Sequence, residues 1–198
     1  MRPIKWCRKE YEMRVRAQEY RVEEQTIEIR PIKTDGFILD IGGGGEGIIG
    51  MLNGMQVIAI DKRPSELEET DNDALKVVMD ATDLKFLDDT FAAATAFYTM
   101  MYVPNDEKPK VLAEAHRVLR PGGRLHIWDA DIPEESGDKK HFVIPLKIVM
   151  PDGTVETGYG SSLKKQSAQT LRELAEDVGF KTIIVESGEH TFYLELEK

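Results

Sequence analysis

Asp40, Asp61 and Asp80 each close a short apolar run, and four consecutive glycines, Gly42 to Gly45, follow the first of them. A glycine costs roughly 0.5–1 kcal/mol relative to alanine in regular structure, so this run marks main chain that must turn tightly or be approached closely. Carboxylates accept hydrogen bonds from hydroxyl and amino groups and attract cations. Asp61 lies 17 residues after Gly44, near the spacing at which an acid meets a ribose hydroxyl pair in dinucleotide sites. A G-x-G-x-x-G pattern at Gly42, Gly44 and Gly47 would suit NAD. Asp40, two residues before the first glycine, would instead repel a pyrophosphate and welcome an ammonium or a sulfonium. A structural turn explains the glycines alone, and helix capping explains Asp61 and Asp80 alone. Their conjunction favours a site for a cationic nucleoside.

The surrounding elements must bring these residues together. Phe37–Ile41, Gln56–Asp61, the segment ending at Asp80 and "RLHIWDADI" read as strands. "AAATAFYTMMYV" is apolar throughout, and its alanines leave helix and strand undistinguished. Residues 6–24 read as a weakly amphipathic helix. Val111, Leu112, Ala115, Val118 and Leu119 share one helical face, stopped by Pro121-Gly122-Gly123. Ser167 is an N-cap for a further helix that ends at Gly179. The tail reads as a hairpin about Ser187-Gly188-Glu189, and Lys140–Gly160 as another about Pro151-Asp152-Gly153.

Strands alternating with helices predict an α/β fold. The expected form is a Rossmann-like, doubly wound, mostly parallel sheet with an antiparallel C-terminal strand. Helices cover both faces, and a β-hairpin is inserted. The predicted organisation is a single domain over 1–198: an N-terminal helical arm (1–33), a cofactor-binding core (34–130), a hairpin insert (131–160), and a C-terminal helix with strands (161–198).

Composition narrows the class. The chain has 198 residues, 41% hydrophobic and 31% charged, the balance of an ordinary globular domain. The net charge of −10 argues against binding a nucleic-acid backbone. Residues 1–33 nevertheless carry nine Lys/Arg against six Glu, a basic arm expected to dock on an acidic body. Cys7 is the single cysteine, so neither an internal disulfide nor a paired-cysteine zinc site is expected. No His/Asp/Glu set has metal-ligand spacing, and no metal is expected. No apolar run reaches membrane-span length, and the first residues lack the apolar core of a secretory signal. A cytoplasmic protein is expected.

The motifs are similar to those of a known family. "ILDIGGGGEG" resembles motif I of the class I S-adenosylmethionine-dependent methyltransferases, the methyltransferase type 11 group in particular. "VIAIDKR" resembles the strand whose acid holds the ribose, "VVMDATDLKF" the adenine segment, and "EAHRVLRPGGRLHI" the post-motif helix, turn and strand. The likeness is ordered and runs from about Phe37 to Asp129. It implies S-adenosyl-L-methionine as cofactor. Gly42, Gly43 and Gly44 would lie along its methionine part and Asp40 would favour its amino group. Asp61, with Lys62 beside it, would take the ribose. Asp80 and the Ala81 N–H would read the adenine, and Phe97, within Ala96-Phe97-Tyr98, would line the site near the methyl. Where many members have a third glycine, this chain has Glu46.

The resemblance predicts a methyltransferase with a small-molecule acceptor. Two alternatives differ in class: a non-catalytic binder of S-adenosylmethionine or S-adenosylhomocysteine, and an NAD-dependent oxidoreductase. No catalytic base is legible, and no Asn/Asp-Pro-Pro-Tyr motif occurs; the corresponding strand end reads "YTMMYVP". Acceptor-side candidates are Tyr98, Tyr102, Trp128, Asp129, Asp131, His141 and Tyr159. The 131–160 hairpin is expected to be an acceptor lid or a homodimer contact.

Overall fold

The computed structural model describes residues 17–134 and 137–198. In chain order the elements are β1 (Glu19–Arg21), β2 (Gln25–Glu28), β3 (Ile38–Ile41), α1 (Ile48–Asn53), β4 (Val57–Asp61), α2 (Pro64–Glu68), β5 (Leu75–Val78) and β6 (Phe91–Phe97). Then follow α3 (Lys108–Val118), β7 (Leu119–Ala130), β8 (His141–Met150), β9 (Gly153–Ser162), α4 (Ala168–Asp177), β10 (Lys181–Ser187) and β11 (Thr191–Glu197).

Seven strands form the main sheet in the order β10-β11-β7-β6-β3-β4-β5. β7, β6, β3, β4 and β5 run parallel, while β11 is antiparallel to both its neighbours. From β3 the chain winds outward to β4 and β5, then returns to β6 on the other side and continues to β7. That reversal opens a crevice at the carboxyl ends of β3 and β6, the place where ligands bind such sheets.

Burial explains why these segments are strands. All four residues of β3 and all seven of β6 are buried, as central strands covered on both faces must be. The alanines of β6 therefore belong to a strand: Ala94 and Ala96 pack toward one layer, and Ala93 toward the other. On the first face, α3 and α4 cover Leu39, Ile41, Leu125 and Ile127 with Val111, Leu112, Ala115, Leu171 and Ala175. Ser167 caps α4 through a capping box with Thr170.

The second face carries the short helices α1 and α2 and a small sheet. β8 and β9 pair antiparallel from His141↔Ser162 to Met150↔Gly153, with the turn at Pro151-Asp152. β8 alternates strictly, burying Phe142, Ile144, Leu146 and Ile148 against Ile38, Val57, Ala93 and Phe97. β1 and β2 lie parallel along its other edge.

That pairing corrects the C-terminal end of the helix expected over 6–24. Residues 1–16 lie outside the described residues, but Glu19–Arg21 and Gln25–Glu28 are strands. Val22 and Ile29 are buried in the same cluster as β8, with Tyr20 and Ile27 packed against it, a period-2 burial that a helix would not produce. The hairpin strands also extend to Ser162, two residues past the expected insert boundary. β5 ends at Val78, so Asp80 stands in the turn beyond it rather than on the strand.

Candidate functional site

The glycine loop leaves β3 and folds back over β4. The Gly42 and Gly43 N–H groups both donate to the Ile60 carbonyl, at 2.8 and 3.0 Å. A Cβ on Gly43 would lie 2.5 Å from Asp40 Oδ2 and 2.9 Å from the Ala59 Cβ. The bare backbone is thus demanded first by the protein's own packing. The loop's free side walls a cleft of about 880 Å³.

The three acids face that cleft. Asp40 is buried, and Thr95 Oγ1 donates to its Oδ1 at 2.6 Å. Burial raises Asp40 to about 7, although the Thr95 hydrogen bond opposes the shift. Asp61 ends β4 with its Oδ1 accepting from the Arg63 N–H at 2.8 Å. Asp80 accepts from the N–H and the hydroxyl of Thr82, both at 2.8 Å, and these bonds hold it below the usual carboxylate range. Lys62, Ala81 and Phe97 line the same cleft, as do Gly42, Gly43 and Gly44. All nine residues singled out in the sequence for the cofactor therefore meet at one place.

The acceptor-side candidates divide. Tyr98, Tyr102 and Tyr159 line the cleft. Tyr98 follows β6 with φ +50°, a left-handed conformation that is strained for a bulky residue. Its ring stacks on Tyr159 at 5.0 Å and 11°, and burial pushes both phenols well above their ordinary range. Asp129 is buried behind this turn, accepting from the Met101 N–H at 3.2 Å and from Gln166 Nε2 at 2.7 Å. Lys108 Nζ completes the network by donating to Gln166 Oε1 at 2.7 Å. Burial lifts Asp129 to about 6 and lowers Lys108 to about 8. Asp129 therefore clamps the turn that carries Tyr98 rather than facing the cleft.

Trp128, Asp131 and His141 also lie off the cleft. Trp128 stacks with His126 across β7, and His126 Nδ1 lies 2.7 Å from the Tyr193 hydroxyl. Burial lowers His126 to about 4, so it is a neutral packing residue. Residues passed over in the sequence are Thr95, the one hydroxyl in an alanine run, and Thr99, whose Oγ1 donates to the Ile41 carbonyl at 2.9 Å. Glu46 was visible only as a departure from a motif. Among the described residues, no cluster of three His, Cys, Asp or Glu is arranged to hold a metal.

The seven-stranded order, the antiparallel strand next to the last and the glycine loop at the switch point define a Rossmann-like methyltransferase fold. A family model described as a methyltransferase domain matches residues 39–127. The crystal structure of a SAM-dependent methyltransferase from Methanosarcina mazei superposes with a TM-score of 0.62 at 19% identity, covering 87% of this chain and 99% of that one. A ubiquinone/menaquinone biosynthesis C-methyltransferase from Desulfotalea psychrophila is 35% identical over 115 residues, 52% of this chain and 45% of that protein. A sterol 4-C-methyltransferase from Caenorhabditis elegans is 35% identical over 104 residues, 46% of this chain and 30% of that protein. The match thus spans half or less of either relative. Residues 39–127, a little under half of the chain, thus match the methyltransferase-domain family, and the chain shares its fold with a solved SAM-dependent methyltransferase.

Proposed function

We propose that the protein transfers a methyl group from S-adenosyl-L-methionine to a small-molecule acceptor. The observation that carries this reading is the convergence of Asp40, Asp61 and Asp80 with the glycine loop on one cleft. The residues present suit the cofactor. A cleft of about 880 Å³ is large enough for a nucleoside with a small acceptor beside it. Its acids are hydrogen-bond acceptors for amino and hydroxyl groups. Asp40 holds the ammonium, Asp61 the ribose hydroxyls, and Asp80 with the Ala81 N–H the adenine. Lys62 and Phe97 flank the nucleoside, and Gly42, Gly43 and Gly44 let it lie on the main chain.

The bound cofactor would supply a sulfonium methyl, which would pass to the acceptor in line with departure of the thioether sulfur. The protein's part is alignment and exclusion of water. Tyr98, Tyr102 and Tyr159 form the acceptor side, and the hairpin of β8 and β9 is its wall. A homodimer contact through the hairpin is the second use we assign to it. The net charge of −10 supports a non-nucleic-acid acceptor, and the single cysteine, Cys7, supports a cytoplasmic setting. Among the described residues no helix is long and apolar enough to cross a membrane. The two C-methyltransferase relatives support a small-molecule acceptor.

Transfer of a labelled methyl from the cofactor into cell-extract metabolites tests this reading. We expect one or a few labelled products. Tight cofactor binding with no transfer to any fraction would favour a non-catalytic binder instead.

A further inference from the structure

Glu46 sits at the apex of the glycine loop between Gly45 and Gly47, whose φ angles of +64° and +61° turn the backbone sharply on either side. The loop is pinned from below. Thr70 Oγ1 donates to the Gly45 carbonyl and Asn72 Nδ2 to the Gly47 carbonyl, each at 3.0 Å, while the Gly45 N–H donates to Glu66 O at 2.8 Å. With its backbone held there, Glu46 sends its carboxylate across to the hairpin. Thr157 Oγ1 donates to Glu46 Oε1, and Tyr159 OH donates to Oε2 at 3.0 Å. Thr157 and Tyr159 are alternate residues of β9 and so share one face of the strand. The same face engages the turn after β6. Tyr159 stacks on Tyr98, and the Gly160 N–H donates to Tyr102 OH at 3.3 Å. Among the described residues β9 is otherwise an edge strand, paired only with β8.

We propose that Glu46 is a positioning residue: it couples the cofactor loop to the β8–β9 hairpin, so that occupancy of the loop orders the acceptor-side wall. The inference rests on the cofactor reading given above. Among the described residues both of its hydrogen-bond donors are hydroxyls of the hairpin, so its grip on β9 depends on where the loop places it. A ligand that immobilises the main chain of residues 42–47 fixes the position of that carboxylate and, through Thr157 and Tyr159, of the hairpin. Filling the cofactor side then steadies the acceptor side, which predicts ordered binding with the cofactor first.

Hydrogen–deuterium exchange of the full chain, with and without S-adenosylhomocysteine, tests the coupling, with calorimetry on the same samples. In the unaltered protein, S-adenosylhomocysteine should slow exchange of the 153–162 peptide by about fivefold, in addition to slowing the glycine loop. In Glu46→Ala the loop should still be protected and the ligand should still bind, but the hairpin response should disappear. Tyr159→Phe keeps the ring on Tyr98 and removes only the hydroxyl, so it should also lose most of the hairpin response. Glu46→Gln, which keeps a carbonyl acceptor, should retain part of it. Normal ligand binding with a hairpin response unchanged in Glu46→Ala and Tyr159→Phe would overturn the proposal, as would a hairpin that never responds in the unaltered protein. Absence of any binding to the unaltered protein would instead remove the cofactor reading, and the coupling with it.

Discussion

Thr95 donates its hydroxyl to Asp40 at 2.6 Å inside the sheet, and among the described residues this is the one side-chain hydrogen bond the carboxylate receives. Burial outweighs it and lifts Asp40 to about 7. Because the folded value exceeds the unfolded one, the protonated form is favoured in the fold. The stabilisation from this group is greatest below the unfolded value and declines as pH rises toward 7. A neighbouring ammonium reverses the preference and selects the carboxylate. S-adenosylhomocysteine should therefore bind about tenfold more tightly at pH 8 than at pH 6, with net proton release. Calorimetry in buffers of different ionisation enthalpy reads both quantities. Thr95→Val should move the rise to higher pH, and a flat profile would remove the ammonium role from Asp40.

Asp61→Ala should weaken S-adenosylhomocysteine about 10- to 100-fold, the value of hydrogen bonds to a charged acceptor. The fold should lose only about 1 kcal/mol, because the bond from the Arg63 N–H is a local one. Titration of the variant checks both, and unchanged affinity would remove the ribose assignment.

Much of this site was legible in the sequence because it is built from local units. An apolar run, an acid and a glycine turn are contiguous, and the sheet rule places their ends together. β6 was not legible, since Ala92 to Ala94 carry no periodicity and only burial on both faces makes them a strand. β1 was read as the end of a helix, and β2 was not read as a strand, because their partner is distant in sequence, with Glu19 paired to His141. Glu46 drew notice as an irregular residue, but its partners Thr157 and Tyr159 lie 111 and 113 positions away. No local pattern encodes such a contact. The acceptor side is made of contacts of this kind, which explains why tyrosines of equal standing in the sequence separated from Trp128, Asp131 and His141 only in the fold.

Gly43→Ala should damage both stability and binding. The added methyl would fall 2.5 Å from Asp40 Oδ2 against a packed strand, so the loop must shift. We expect a loss of about 1–3 kcal/mol by denaturant titration, typical of overpacking, together with reduced affinity. A variant with unaltered stability would show that the loop has more room than its contacts imply.

Ser167→Ala provides the opposite case. The hydroxyl accepts from the Thr170 N–H at 3.2 Å at the start of α4, and Ser167 does not line the cleft. Its loss should cost about 1 kcal/mol and lower the melting midpoint by a few degrees. Cofactor affinity should not change, and an equal loss of binding would mean that affinity merely tracks stability.

The most direct test of the central claim is a calorimetric comparison of S-adenosylhomocysteine and NAD on the unaltered protein. The account predicts saturable one-to-one binding of S-adenosylhomocysteine and no measurable heat with NAD. Binding of NAD with no response to S-adenosylhomocysteine would contradict it.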